Sequence, residues 1–331
     1  MSAPATAPDL ADEFSPAEDD APAVETRACT VAATDHAQRL DKVLVALAPE
    51  FSRSHLQTLI ADGHVRLDGR PAGPASRKVR AGQRLEVDLV PTAQSLAYRP
   101  QAMPLSILYE DEHLLVLDKP AGLVVHPAPG NWSGTLLNGL LARYPDAAAL
   151  PRAGIVHRLD KDTSGVMMVG RSLPAVTALV RDLAARDVRR RYLALVHGEL
   201  GRGAFSIDAP IGRDPASRIR MAVVASGKPA RTDVDPVACR DGVSAVQCSL
   251  HTGRTHQIRV HLAHRGHPLL ADTLYGGRPA LGMTRQALHA ARLSLSHPIG
   301  RQPLSFDAPA PPDFEAAWGR VTGRAAGWVA P

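Results

Sequence analysis

The run from His157 to Gly165 combines an acid with bases in a short polar segment between two apolar ones. It reads His-Arg-Leu-Asp-Lys-Asp-Thr-Ser-Gly, with Ile-Val before it and Val-Met-Met-Val after it. This pattern predicts a short strand, a tight loop that displays Asp160, and a second strand. A carboxylate held rigidly on such a loop could react as a nucleophile or a base. The simpler interpretation is a turn residue or one half of an ion pair.

A second motif, about 100 residues downstream, could supply a cationic partner for that acid. Residues 252–262 read Thr-Gly-Arg-Thr-His-Gln-Ile-Arg-Val-His-Leu and include Arg254, His256, Arg259 and His261. A carboxylate that stays ionised inside a folded site needs a positive neighbour, and the planar fork of arginine suits this better than lysine. The two motifs together therefore favour a reactive site over an isolated turn.

Residues 36–90 are predicted to form a small basic unit. Apolar residues at helical spacing predict a helix from Leu40, and Ser52 is the expected N-cap of a second helix that Gly63 ends. Asp68-Gly69 is a turn signal, and apolar residues at 85, 87 and 89 alternate with charged ones as in a strand.

Residues 91–103 are predicted to be a linker, and strand patterns dominate from Pro104 onward. Helical spacing recurs at residues 135–141 and at residues 175–186, where Val180 is expected on the buried face. Arg259 is expected at the end of a strand that a helix follows. This mixed order predicts an α+β domain around a mostly antiparallel sheet, covering residues 104–331.

Five ordered segments resemble the RluA/RluD family of pseudouridine synthases. They are residues 157–165 (the Asp160 run), 119–127 (Lys-Pro-Ala-Gly-Leu-Val-Val-His-Pro), 190–196 (Arg-Arg-Tyr-Leu-Ala-Leu-Val), 252–262, and 285–290 with His297-Pro298. The similarity runs from about residue 104 to residue 314 and is greatest to the RluD branch. Ala271, where the family usually has glycine, and a variant strand at 166–171 depart from the pattern.

The resemblance implies a large mixed sheet with a catalytic cleft, and it implies roles for five residues. Asp160 would be the catalytic carboxylate, and Arg259 would hold it as an anion. Tyr192 would stack on the uracil, Leu262 would pack beneath it, and Arg158 would contact the region from which the uridine is displaced. Attack on the base, attack on the ribose and a glycal route all stay open, and none requires a cofactor or a metal.

Residues 36–90 resemble the S4 RNA-binding module, which grips phosphates through a pair of helices. By that similarity Arg53, His55, Arg77 and Lys78 are candidates for contact with the RNA backbone. Ordinary surface charge is an equally simple explanation of each residue taken alone.

The charge distribution favours a polyanionic partner. The net charge is +5, yet residues 1–28 hold seven acids against one base, so the remainder of the chain is more basic than the total indicates. The Ala/Pro/acid-rich head, residues 1–35, is expected to be disordered. Three cysteines without Cys-x-x-Cys spacing, together with no apolar run of 18 residues and no secretory signal pattern, predict a cytoplasmic protein without disulfides.

The resemblance to the RluD branch implies an enzyme that isomerises uridines in large-subunit ribosomal RNA, in the stem-loop at the subunit interface, and the protein is expected to act as a monomer. The residues by themselves indicate only a uridine in structured RNA. The alternative is a noncatalytic ribosome-assembly factor that binds RNA through residues 36–90. A metal site built from His261, His264 and His267 is disfavoured, because Gly266 and Pro268 interrupt the helix there and no His-Glu-x-x-His motif occurs.

Overall fold

The computed structural model describes residues 25–90, 97–217 and 219–328, and the chain divides into two units, Met1–Leu96 and Ala97–Pro331. The head predicted to be disordered lies outside the described residues as far as residue 24. Its remainder is folded, because strand β1, Glu25–Thr30, pairs with a strand of the first unit. The predicted boundary at residue 36 is therefore wrong. Strand β1 carries no buried residue, so its sequence lacks the apolar alternation that would have marked it.

The first unit places two helices against an antiparallel sheet. After β1, the elements are α1 Leu40–Leu47, α2 Arg53–Ala61, β2 Val65–Leu67, β3 Arg70–Pro71 and β4 Arg84–Leu89. The strand order is β1-β4-β2-β3.

The sequence patterns of the first unit explain its local structure. The Ser52 hydroxyl accepts a hydrogen bond from the His55 amide at 3.3 Å and caps α2, as predicted. Asp68 and Gly69 both adopt positive φ, which is the geometry of a tight hairpin turn between β2 and β3. Leu85, Val87 and Leu89 of β4 are buried in the small core against both helices.

The second unit begins seven residues earlier than predicted. Ala97 is buried, and its carbonyl oxygen accepts a hydrogen bond from the Asn138 amide at 3.2 Å. The residues of the expected linker from 97 onward therefore belong to this unit, whereas residues 91–96 lie outside the described part of the chain.

The second unit alternates strands and helices along the chain. Its elements are β5 Ser106–Glu110, β6 Leu114–Lys119, α3 Leu136–Arg143, β7 Ser164–Gly170, α4 Leu173–Ala185, β8 Arg189–His197, β9 Phe205–Asp208, β10 Ile211–Arg213, β11 Met221–Val223, β12 Arg231–Arg240, β13 Val243–Leu250, α5 Gln257–His264, β14 Leu288–Ser296, β15 Pro303–Asp307 and α6 Pro312–Thr322.

The large sheet runs in the order β5-β6-β7-β14-β8-β13-β12-β9, with β15 also paired to β14. Its neighbours are antiparallel except for β7 and β14, which run parallel. At that pairing Gly165 has φ +115°, and a Cβ there would come within 2.2 Å of the Ala290 carbonyl oxygen. Only glycine permits this approach. The predicted α+β class with a mostly antiparallel sheet is confirmed.

Both faces of the sheet are covered, and β8 shows this by its alternation. Tyr192 and Ala194 point into the larger core, whereas Leu193 and Leu195 point into a second core with Phe314 and Trp318 of α6. The site described below lies on the Tyr192 face.

Three local expectations were wrong. Arg259 is the third residue of α5 rather than the end of a strand. Ile155 forms an isolated bridge to Val169 instead of a strand. Val180 of α4 is half exposed, because Asp182 takes the buried position and pairs there with Arg301. In the part of the chain that the structure describes, no helix has the length and apolar character to cross a bilayer.

Candidate active site

Asp160 and Arg259, which are 99 residues apart in sequence, meet in the second unit. An Arg259 Nη1 hydrogen donates to Asp160 Oδ2 at 3.1 Å, and the Asp160 side chain is 15% exposed. The other carboxylate oxygen, Oδ1, has no hydrogen-bond partner among the described residues. One oxygen is thus anchored and the other is free.

Two cationic side chains bind backbone carbonyl oxygens of the loop that carries Asp160. The buried Lys119 at the end of β6 donates to the carbonyl oxygens of Pro120, Leu123 and Lys161 at 2.7–3.0 Å. Arg285 donates to the Asp162 carbonyl oxygen at 2.9 Å. An ammonium group has three donors, so Lys119 is fully satisfied in this position. These bonds fix the backbone immediately after the reactive carboxylate.

A second acid, Asp272, holds Arg259 more firmly than Asp160 does. Arg259 Nε donates to Asp272 Oδ2 at 2.7 Å and Nη2 donates to Oδ1 at 2.8 Å, a bidentate pair in which the Asp272 side chain is 1% exposed. Burial alone would lower the pKa of Arg259, but the bonds and charges of Asp272 and Asp160 outweigh it and raise that pKa. The guanidinium therefore stays charged.

Asp272 was not among the residues predicted for the site, although the sequence contains a signal for it. A buried guanidinium has more donors than one carboxylate can accept, so a second buried acid was to be expected near Arg259. Asp272 directly follows the buried run Leu269–Ala271, which marks it as such an acid.

A pocket of about 760 Å³ opens above this ion pair, and its wall includes Asp160, Tyr192 and Ile258. Pockets that enclose a small organic molecule measure roughly 300–1,000 Å³, so a nucleoside-sized group fits. Burial raises the pKa of Tyr192, and its phenol therefore stays protonated at neutral pH. Leu262, in contrast, is fully buried in the core behind the wall, and it is not among the residues that line the pocket.

Arginines dominate the charge of the pocket wall. Among the described residues, Asp160 is the only acid that lines it, against Arg259 and five other arginines, namely Arg152, Arg158, Arg186, Arg190 and Arg254. Arg158 is exposed, and its guanidinium has neither an ion pair nor a hydrogen bond in the described chain. Such a wall attracts a polyanion and leaves cations available to bind it.

Arg190 could have been anticipated from strand geometry. It lies two residues before Tyr192 on β8, so both side chains project from the same face of the sheet. Its Nε atom is buried without a hydrogen-bond partner. Of these arginines, only Arg158 was predicted to contact the RNA. Arg152, Arg186 and Arg254 lie on other segments of the chain, which only the tertiary fold brings to the pocket.

The four residues of the first unit that are candidates for contact with the RNA backbone differ in the protein groups that their side chains contact. Arg53 donates to the buried Asp41 at 2.9 Å, and the His55 ring stacks on Phe51. Arg77 donates to the Ala72 carbonyl oxygen at 3.0 Å. Lys78 is exposed and its ammonium has no partner in the described residues. Lys78 and Arg77 therefore suit phosphate contact best, whereas Arg53 has a structural ion pair to maintain.

Two of the three histidines considered for a metal site, His261 and His267, are engaged elsewhere, and the third, His264, is exposed. The ring nitrogens of His261 lie 2.9 Å from the Thr232 hydroxyl and 3.0 Å from the Ala209 carbonyl oxygen, and His267 Nδ1 lies 2.9 Å from the His197 carbonyl oxygen. Across residues 25–90, 97–217 and 219–328 no group of potential metal ligands converges.

Chemically, the site offers a carboxylate with one free oxygen, a neutral phenol and a ring of cations. It can bind a planar group that belongs to a larger polyanion and present a nucleophile or base to it. The Arg259 contact engages one oxygen of that carboxylate and leaves its second oxygen unoccupied.

Comparison with known proteins places these features in a family. A model described as RNA pseudouridylate synthase matches residues 113–264, and an S4 domain model matches residues 38–85. Proteins called ribosomal large subunit pseudouridine synthase D are similar along most of their length. The one from Xanthomonas campestris pv. campestris is 50% identical over 84% of this chain and 87% of its own. The one from Nitrosomonas europaea is 47% identical over 84% and 83%.

A solved structure agrees. Human RNA pseudouridylate synthase domain containing 1 has a TM-score of 0.51 and 28% identity, over 70% of this chain and 90% of that one. The solved human structure shares the fold of this chain, and the S4 match lies within the first unit.

Proposed function

Because the chain belongs to the RNA pseudouridylate synthase family, we propose that it isomerises uridines in large-subunit ribosomal RNA, with Asp160 as the catalytic carboxylate. The contact that carries this proposal is the buried pair of Asp160 with Arg259 at the base of the pocket. The names of the similar bacterial proteins support the ribosomal substrate. The stem-loop at the subunit interface is the target that the resemblance to the RluD branch favours.

In this proposal, the target uridine leaves its helix and enters the pocket. Extruding a base costs a few kcal/mol, and contacts to the displaced nucleotide and its neighbours must supply that energy. The exposed Arg158 can stack on bases or bind phosphate at the pocket mouth. Tyr192, buried on β8, supplies an aromatic face for the uracil.

Once the base is bound, Oδ1 of Asp160 is the oxygen that reacts. It attacks the uracil or the ribose, or it removes a proton from a glycal-like intermediate. Each route needs a carboxylate that is ionised and poorly hydrated. The positive charge of Arg259 favours the ionised form, and the bound uridine excludes water from the pocket. The reaction exchanges a nitrogen–carbon bond for a carbon–carbon bond without redox change or hydrolysis.

The first unit, with the S4 match, would hold the RNA through its backbone, with Lys78 and Arg77 as the least engaged of the four candidate residues. All of the proposed catalytic groups come from a single chain, which fits a monomer, and a ribosomal substrate fits the cytoplasm. A noncatalytic assembly factor would have no use for a buried acid–arginine pair beneath an open pocket.

Mapping of pseudouridines in ribosomal RNA tests the proposal. Cells that lack this protein should lose specific pseudouridines in large-subunit RNA and keep those of the small subunit, and the wild-type gene should restore them. An unchanged pseudouridine map would contradict the proposed function.

A further inference from the structure

His256 lies beside Asp160 and faces the carboxylate oxygen that Arg259 does not hold. The Nε2 atom of His256 is 3.9 Å from Asp160 Oδ1, whereas Arg259 binds Oδ2. This separation is too long for a direct hydrogen bond, but an oxygen atom of a bound molecule can lie within bonding distance of Nε2 at that point. His256 also lines the pocket.

Tyr275 determines which ring nitrogen of His256 carries the proton. The Tyr275 hydroxyl oxygen accepts a hydrogen bond from the Met221 amide at 3.0 Å and lies 2.7 Å from His256 Nδ1. Nδ1 is the only acceptor near the hydroxyl proton in the described residues, so the hydroxyl donates to it. The hydrogen-bond network therefore assigns the proton of the neutral imidazole to Nε2, which faces Asp160.

The surroundings keep both groups in these forms. Burial lowers the pKa of His256, in spite of the nearby charge of Asp160, and burial raises the pKa of Tyr275. The Tyr275 ring also lies 5.0 Å from the Arg259 guanidinium carbon, in a cation–π contact. Tyr275 thus contacts both residues that flank the reactive carboxylate.

The backbone of His256 is compatible with this position of its side chain. It adopts φ +57°, in the left-handed region, immediately before α5, and its side chain does not cap that helix. Histidine tolerates this conformation better than most residues with a side chain. The imidazole is therefore not engaged by the helix end and lines the pocket.

Building on the pseudouridine synthase activity, we propose that the Nε2–H of His256 donates a hydrogen bond to an uncharged oxygen of the target uridine, beside Asp160, and that Tyr275 is the positioning residue that keeps this proton on Nε2. A neutral donor suits a uracil carbonyl or the ribose 2′-hydroxyl. Phosphates have better partners in the free arginines of the pocket wall.

Two substitutions separate this role from a structural one. His256→Asn is compatible with positive φ, yet its amide ends near the Nδ1 position and cannot reach the substrate. His256→Gln places an N–H near the Nε2 position. In steady-state tritium release from C5-labelled uridine in ribosomal RNA, kcat should fall about tenfold for His256→Asn, the factor that one neutral hydrogen bond contributes. It should stay within about threefold of wild type for His256→Gln, with little change in KM for either variant.

Two further variants test the proposal: Tyr275→Phe, and a control substitution of His264, an exposed histidine of α5. Tyr275→Phe keeps the ring over Arg259 but lets the His256 proton shift to Nδ1, so kcat should fall severalfold. His264→Gln, at the exposed end of α5, should leave kcat unchanged.

Substrate analogues identify the contacted oxygen. RNAs that carry 2-thiouridine, 4-thiouridine or 2′-deoxyuridine at the target each weaken or remove one acceptor. The analogue that lacks the contacted oxygen should slow wild type but slow His256→Asn no further. Additive losses for all three analogues would overturn the proposal, as would full activity of His256→Asn. A wild-type protein with no tritium release would instead overturn the proposed function, and the role of His256 with it.

Discussion

Replacing Asp272 by asparagine should destabilise the protein more than replacing the reactive Asp160. Asp272 binds Arg259 through two hydrogen bonds in a buried pair, whereas Asp160 accepts a single bond and is partly exposed. In Asp272→Asn the new amide group places N–H hydrogens against an N–H of Arg259, and the buried guanidinium keeps only the amide oxygen and the partly exposed Asp160 as partners. In Asp160→Asn, Arg259 keeps both of its bonds to Asp272.

The expected losses of stability in the two variants follow from these contacts. Breaking a buried ion pair from one side costs about 3–5 kcal/mol, and the remaining amide oxygen of Asp272→Asn puts it near the lower end of that range. Loss of the single bond in Asp160→Asn costs about 1 kcal/mol. In a domain of this size, 1 kcal/mol corresponds to roughly 2–4 °C in Tm, so the expected losses are about 6–12 °C and about 2–4 °C.

Differential scanning calorimetry of the full chain measures both losses, and Asp307→Asn serves as the matched control. Asp307 binds Arg292 in the same bidentate manner but is exposed, so its loss should cost under about 1 kcal/mol. Asp272→Asn should also reduce tritium release, because Arg259 is no longer held against Asp160. Equal Tm values for Asp272→Asn and Asp307→Asn would refute this account of Arg259.

Two further predictions concern the elements around the site. Lys119→Met removes the ammonium that binds the Lys161 carbonyl and leaves the carbonyl oxygens of Pro120 and Leu123 without a donor, whereas that of Lys161 keeps the Gly122 amide; it should lower the free energy of unfolding by at least about 2 kcal/mol and slow tritium release, and wild-type rates would contradict the role of Lys119 in holding the loop. Lys78→Gln should reduce the slope of log K against log salt for RNA binding by about 0.7–0.9, with kcat unchanged; an identical slope in filter-binding measurements would exclude a phosphate contact.

Chemical reasoning predicted that a base of the downstream motif would pair with Asp160, and the family resemblance selected Arg259 among the candidates. An ionised acid inside a site needs a cation, and the downstream motif offered one. The α+β class and helices α1 to α4 followed from apolar spacing and from caps such as Ser52, whereas α6 was not predicted. These signals come from residues that are close together in the sequence, so they can be recognised without the tertiary structure.

The features that the sequence did not predict depend on the tertiary fold. Strand β1, without a buried residue, is recognisable only through its pairing with β4. Asp272 and Tyr275 reach the site because the chain returns after α5. Leu262 was expected beneath the base, but one turn of α5 separates it from Ile258, and that turn moves it from the pocket wall into the core.

The most direct test of the central claim is the Asp160→Asn variant in an assay of tritium release from C5-labelled ribosomal RNA, with RNA binding measured in parallel. Because the amide can neither attack nor accept a proton as the carboxylate does, release should fall below detection while the affinity for RNA stays within about threefold of wild type. Release at the wild-type rate by a folded Asp160→Asn protein would contradict the assignment of this carboxylate.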